Sequence, residues 1–389
     1  MNSNKTSIGL SIRLHGGLCT LGNLMREWRA NPSRMWRRHR NPWARLADPR
    51  QFDDLLARYP LAPLDSTGCR IGILKGYDQQ YRRYENACRE LNVPHQVLDV
   101  AASDWLAQVR ASGCNGFIAH PTPYTRPMRD VFAERLHILS KDLGLPVHPD
   151  DNSLWLYESK RRMAYWLEAH DVPHPATHVF YDRKSAFTFA SAATYPMICK
   201  TDLGSSAGGV FMVRRRGQAF RLITRAFGAG LLGRGRDPRD REWSEILFQT
   251  YIPNAREFRV IQIGDSWFAH EKIAHAETGF HSGSGTSAWN VPPDRVFDFC
   301  REAGGKGGFR AMNYDVFMTP AGELMINELQ AVFAAYNPSQ MYRDGIPGRM
   351  VFADNCWHFE EGVFCRNGCA NLRVAELVGR IRAQDVCRV

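Results

Sequence analysis

Two lysines, a run of small residues and a set of acids are spaced along this sequence in a way that could handle a phosphorylated ligand. Lys160 lies in a helical stretch, and Lys200 ends the apolar run Tyr195–Lys200 immediately before Gly204, Ser205, Ser206, Ala207, Gly208 and Gly209. Glycines at such a turn let backbone N–H groups reach phosphate oxygens without a Cβ clash. Gln249, Thr250, Tyr251, Ile252 and Pro253 form a strand-to-loop segment whose backbone can meet an adenine edge, and Glu257 follows at a spacing suited to ribose hydroxyls. Asp315 and Glu328 sit in two apolar runs joined by a turn at Pro320-Ala321-Gly322. Antiparallel pairing would bring both carboxylates to one face as hard oxygen ligands for Mg²⁺, with Gln330 adding a carbonyl two residues on. An unpaired acid in such apolar surroundings is costly, so a compensating cation is expected.

Other motifs are missing or uninformative. No G-x-x-x-x-G-K-[ST] phosphate loop exists, and Gly283–Ala288 fits G-x-G-x-x-A without the strand-to-helix context that motif needs. Cys356, Cys365 and Cys369 with His358 lack the paired hooks of a structural zinc site, so all ten cysteines read as reduced thiols.

The elements that position these residues follow from periodicity. From residue 69 short apolar strands (70–74, 95–100, 116–119, 145–147) alternate with helical stretches (81–91, 103–111, 125–143), which predicts βαβ units and a parallel sheet. Ligands at such sheets sit beyond the carboxyl ends of the strands, which points to Lys75-Gly76-Tyr77 and His120–Tyr124 as substrate positions. Residues 152–170 read as one amphipathic helix. Strands around Lys200 form a hairpin over the glycine-rich turn, and further strands are expected at 246–251, 257–263, 267–274, 316–318 and 324–329. The Gly/Arg-rich stretch 225–241 and the turn at 204–209 are lid candidates. Residues 341–389, with Arg343, Arg349 and Arg366, read as a C-terminal cap.

Composition bounds the class. A chain of 389 residues with 44% hydrophobic residues builds two or three subdomains, and no apolar run is long enough to span a bilayer. Lacking a signal-peptide pattern, the sequence reads as cytoplasmic. Of the net charge of +10, residues 1–68 carry +6, from eleven Lys/Arg against five Asp/Glu. There Trp28, Trp36 and Trp43 interleave with arginines; packing of this arm on its own protein is favoured over nucleic-acid binding.

Three stretches together resemble the ATP-grasp superfamily: YESKRRMAYWLEAHDVPHPAT with Lys160; YPMICKTDLGSSAGGV; and FQTYIPNAREFRVIQIGDSW followed by MNYDVFMTPAGELMINELQ. The resemblance spans about residues 69–340. It implies an α/β (α+β) architecture with a basic arm (1–68), a parallel α/β subdomain (69–150), two α+β subdomains clasping ATP (151–340) and the cap (341–389). It further implies that Lys160, Lys200 and the loop Gly204, Ser205, Ser206, Gly208 and Gly209 hold ATP phosphates. Gln249, Tyr251 and Ile252 would form the adenine hinge, Glu257 would bind ribose, and Asp315, Glu328 and Gln330 would hold Mg²⁺. Arg259 and Lys272 would neutralise the transferring phosphoryl group or orient the acceptor. His281 and His120 are the candidate bases. Gln249 and Gln330 stand where the family usually has an acid and an asparagine. The implied activity is ATP- and Mg²⁺-dependent ligation of a carboxylate to an amine through an acyl phosphate. A small-molecule kinase or a nucleotide-binding regulator are the alternatives. Small-molecule substrates and a homodimer are the implied partners.

Overall fold

The computed structural model describes residues 11–14, 17–20, 53–76, 78–121, 125–204, 208–234, 236–274, 287–333, 335 and 337–386. Residues 1–51 and 52–389 form separate units. In the first, β1 (Ser11–Leu14) and β2 (Gly17–Thr20) pair as an antiparallel hairpin. Trp28, Trp36, Trp43 and the arginines among them lie outside the described residues.

The second unit opens with a short helix, α1 (Asp53–Arg58), and then the expected alternation. Its elements are β3 (Ile71–Lys75), α2 (Tyr81–Glu90), β4 (His95–Asp99), α3 (Trp105–Ser112), β5 (Gly116–Ala119), α4 (Arg126–His137) and β6 (Val147–His148). The four strands form a parallel sheet in the order β4-β3-β5-β6. Ile71, Ile73, Phe117 and Ile118 are all fully buried, as the continuous apolar runs of a two-sided sheet require.

The stretch read as one helix is two. α5 (Asp151–Leu156) and α6 (Lys160–Ala169) are separated by Tyr157, Glu158 and Ser159, with Glu158 in a left-handed conformation at φ 53°. The Ser159 hydroxyl caps α6 by accepting the Arg162 N–H at 3.3 Å. Periodicity persists across such a break, which is why the sequence pattern conceals it. The consequence is positional: Lys160 becomes the first residue of a helix.

Next come β7 (Thr177–Phe180), α7 (Arg183–Ala192), β8 (Met197–Lys200), β9 (Val210–Val213), α8 (Arg216–Ala226) and β10 (Ile246–Thr250). The four strands make an antiparallel sheet, β7-β10-β8-β9, with α7 and α8 against it around Ala186, Cys199, Ile223 and Phe248. β8 and β9 form the expected hairpin, Lys200 opposite Val210.

A larger sheet completes the unit. β11 (Arg256–Ile263), β12 (Ser266–Lys272), β13 (Ser287–Ala288), β14 (Ala311–Met318), β15 (Leu324–Gln330), β16 (Tyr342–Arg343), β17 (Ile346–Ala353) and β18 (Cys356–Glu361) run in the main order β15-β14-β11-β12-β17-β16. β13 adds to β12 and β18 to β17, and α9 (Asp294–Gly307) packs on this sheet through Val296, Phe297 and Cys300. The last helix, α10 (Arg366–Val386), returns to the parallel sheet, where Val374, Leu377 and Ile381 join Ile71, Ile73 and Ile118 in one core. Residues 341–386 thus extend the large sheet and cover the parallel one. Among the described residues no helix is long and apolar enough to cross a membrane.

Leu377 is fully buried in that core, so Leu377→Ala should cost about 2–5 kcal/mol in urea unfolding. A loss below about 0.5 kcal/mol, the range of a surface substitution, would show that α10 is not part of the folded core.

Candidate active site

The site is built on one face of the large sheet. Cross-strand register sets Glu257 opposite Lys272 and Arg259 opposite Asp315, and Asp315 is in turn opposite Glu328. Because alternate residues share a face, these side chains converge. The Lys272 ammonium donates to Glu257 Oε1 at 2.6 Å and to Asp315 Oδ2 at 3.0 Å. The Arg259 guanidinium grips both Asp315 oxygens, at 3.0 and 3.2 Å. Asp315 is only 1% exposed. Burial alone would push its carboxyl up, but Arg259 and Lys272 outweigh burial and hold it below the usual carboxylate range.

Register shifts between Asp315 and Val316: Asp315 pairs with Glu328 and Val316 with Ile326, leaving Asn327 as a bulge residue. The bulge turns the Asn327 side chain inward. Its amide donates to Glu257 Oε1 at 3.4 Å, and its carbonyl accepts from the Lys200 ammonium at 3.2 Å. Strand alternation would put Asn327 on the face away from Glu328, so the sequence pattern misses it.

From the opposite side, α6 and the β8–β9 hairpin close over this face. Lys160 donates to Glu328 Oε1 and, at 3.1 Å, to the Gly204 carbonyl. Burial pushes Glu328 up, but the Lys160 charge dominates and holds it below its ordinary value. Gln330 donates to Glu328 at 2.7 Å. Lys200 differs from the other cations. Among the described residues no carboxylate lies within ion-pair distance of it, and burial pushes its ammonium down to about 8.

The glycine-rich loop is anchored at both ends. The Gly204 N–H donates to Glu158 Oε2 at 3.3 Å. The Glu242 carboxylate accepts the Asp202 and Leu203 N–H groups, both at 2.9 Å, which ties the loop to the Gly/Arg-rich stretch. Burial pushes Glu242 up to about 7 even against those two donors. Gly209 has no room for a side chain, since a Cβ there would lie 1.9 Å from Thr201 Oγ1. Gly208 accepts the Arg234 N–H at 2.6 Å. Ser205, Ser206 and His281 lie outside the described residues, as do Tyr77, residues 122–124 and most of the segment before Trp289.

Between α6, β8, β10 and β15 lies a narrow cleft, about 10 Å³ in volume, lined by Lys160, Met163, Ala164, Leu167, His174, Thr177, Lys200, Leu247, Gln249 and Asn327. One end is apolar and the other carries two ammonium groups. Gln249 lines it and donates to Thr177 Oγ1 at 3.0 Å. Tyr251 and Ile252 follow β10 at half-buried positions, and no backbone hydrogen bond engages them among the described residues. Met163, Leu167, His174 and Leu247 are pocket residues that the sequence pattern marks only as apolar or neutral.

The donor set suits a hard divalent cation: two carboxylates opposite each other and an amide. Among the described residues no three His, Cys, Asp or Glu side chains converge as a metal cluster. The two carboxylates are held by Lys160, Lys272 and Arg259.

No family model and no curated protein matches the sequence. Among solved structures, the chain is similar to an N5-carboxyaminoimidazole ribonucleotide synthetase solved as an ADP complex, with a TM-score of 0.50 and 17% identity, covering 71% of this chain and 72% of that one. It is similar to the N5-carboxyaminoimidazole synthetase of Staphylococcus aureus, with a TM-score of 0.50 and 13% identity, covering 82% and 79%. A RimK-domain ATP-grasp protein from Sphaerobacter thermophilus matches with a TM-score of 0.47 and 16% identity, over 67% of this chain and 90% of that one. The likeness is one of fold, and the fold is ATP-grasp.

Asp315→Asn would leave the buried Lys272 and the half-buried Arg259 without their shared carboxylate. It should cost about 3–5 kcal/mol in denaturant unfolding, and an unchanged midpoint would show that the Arg259–Asp315–Lys272 contacts do not neutralise one another.

Proposed function

We propose that this chain is an ATP- and Mg²⁺-dependent ligase that activates a carboxylate as an acyl phosphate and passes the acyl group to an amine. The observation that carries the reading is Lys200. A half-buried ammonium whose hydrogen-bond partner is one amide carbonyl, at the polar end of a narrow cleft and beside a glycine-rich loop, has the environment of an anion-binding group. Three further cations stand around the cleft, Lys160 on the side of Lys200 and Lys272 and Arg259 on the facing sheet.

In this reading the adenine lies among Met163, Ala164, Leu167 and Leu247, with Gln249, Tyr251 and Ile252 along its edge and Glu257 towards the ribose. Lys160, Lys200 and backbone N–H groups of residues 204–209 hold the phosphates. Asp315, Glu328 and Gln330 would hold Mg²⁺, which would supply charge neutralisation at the phosphates. Transfer of Lys160 from Glu328 to a phosphate would free that carboxylate for the metal. A carboxylate oxygen of the acceptor attacks the terminal phosphorus and ADP leaves. Arg259 and Lys272 face the oxygens on which charge gathers. An amine then attacks the acyl carbon, inorganic phosphate leaves and the amine gives up a proton. The glycine-rich loop and residues 225–241 exclude water while the acyl phosphate exists.

The site reading predicts a pH dependence. Lys200 binds a phosphate best as an ammonium, and in the unliganded protein it loses its proton near pH 8. Binding an anion raises that value, so nucleotide affinity should be flat below pH 8 and fall above it, by up to about tenfold per pH unit. Lys200→Ala should weaken nucleotide binding throughout. Lys200→Arg should bind with no such fall. An identical alkaline slope in Lys200→Arg would remove Lys200 from the phosphate site.

The reaction is tested by ADP release from ATP and Mg²⁺ against pooled acids, with hydroxylamine present to trap acyl phosphate. Hydroxamate that depends on one acid supports the ligase. ADP release with no hydroxamate would favour a kinase, and tight nucleotide binding with no release would favour a regulator.

A further inference from the structure

A second buried positive cluster lies at the carboxyl ends of the parallel strands, where ligands of such sheets sit. Arg373, on α10, is 2% exposed. It donates to the carbonyls of Gly368 and Phe333 at 3.5 and 3.4 Å, contacts long enough to be weak, and bonds the Tyr84 hydroxyl. Its Nε is buried with no hydrogen-bond partner. Among the described residues no carboxylate forms an ion pair with it. The nearby acids on its own helix and on α2 are engaged elsewhere, Glu376 with Arg380 at 2.8 Å and Glu90 with Asn371 at 2.9 Å.

Other positive and polar groups converge on it. Arg83, half-buried on α2, lies against Gly368, where a Cβ would come within 2.4 Å of its Nη1. His120 follows β5, its ring 6.4 Å from that of Tyr84. His148 ends β6, 1% exposed, with Nδ1 lacking a partner. The approach of Arg83 is made possible by three consecutive left-handed residues at the start of α10, Asn367, Gly368 and Cys369, at φ 50°, 66° and 68°. Left-handed backbone at two non-glycine residues is strained, and such strain persists where the surroundings enforce it. Burial, and then the charges of Arg373 and Arg83, push His120 down to about 3.

We propose that Arg83, His120 and Arg373 form a subsite for an anionic group, and that the acceptor acid of the ligase is dianionic, one carboxylate being activated while its second negative group rests here. Substrate class rests on the ligase reading; the anion site does not. The spacing fits. Phe333, whose carbonyl Arg373 holds, is three residues beyond Gln330, so the two sites are tied by a segment spanning at most roughly 10 Å. A buried guanidinium among neutral dipoles gains most from a charged oxygen acceptor, and its fork matches a carboxylate or a phosphate equally.

Isothermal titration of glutarate and of inorganic phosphate into the full chain, at about 150 mM salt to suppress surface binding, tests the subsite. At least one should bind the wild type. Arg83→Gln should weaken that binding by about tenfold or more, while the exposed Lys184→Gln should not, and ATP binding by Arg83→Gln should be unchanged. Glutarate alone would assign a dicarboxylate and phosphate alone a phosphorylated acid. No binding of either anion, or equal binding by Arg83→Gln, overturns the subsite. Arg373→Gln is a second variant, and Arg83 decides if it does not fold. Arg83-dependent anion binding without hydroxamate from any acid would sink the ligase and leave the subsite standing. Hydroxamate from monoanionic acids, with kcat/KM unchanged in Arg83→Gln, would sink the subsite alone.

Discussion

Charge neutrality on one buried sheet face constrains everything around it. Glu257, Asp315 and Glu328 are acids among apolar strands, and each is met by a cation placed by register or by a neighbouring element. Removing an ion from water costs several kcal/mol even after relaxation, so these strands pack together only if the pairs form. The pairs in turn fix which residues of β11, β12, β14 and β15 face the cleft. Among these side chains the three acids are matched by Lys160, Lys272 and Arg259, and Lys200 is a fourth cation with an amide for its partner.

Local backbone devices place the residues that register does not. The break at Glu158 starts a helix at Lys160 and aims that lysine across the cleft at Glu328. The bulge at Asn327 turns inward a side chain that alternation would turn away. The anchors of the glycine-rich loop, Glu158 at one side and Glu242 beneath it, are both buried carboxylates accepting backbone N–H groups.

The parallel sheet and the large sheet are joined through the end of the chain. α10 buries Val374, Leu377 and Ile381 against β3 and β5, and its Arg373 reaches the segment leaving β15. The same helix therefore stabilises one lobe and carries a charge to the edge of the other lobe's site. Among the described residues no acid pairs with that charge, which makes its burial expensive, and Arg83 adds a second positive charge nearby.

The sequence by itself determined the order of elements, the parallel character of residues 71–148 and the candidacy of Lys160, Lys200, Asp315 and Glu328. Those features are periodic or local: apolar runs of fixed length, glycines at a turn, acids inside apolar strands. Gly209 was legible because a tight turn needs it, and Asp315 because an acid there demands a cation. Tertiary structure alone decided which cation that is. Arg259 and Lys272 meet Asp315 only through the register of three strands, and no spacing along the chain encodes register between strands this far apart. The split at Glu158, the inward turn of Asn327 and the return of α10 to the first sheet were hidden for the same reason. Each is set by what packs against it, whereas sequence periodicity reports only which face of an element is buried.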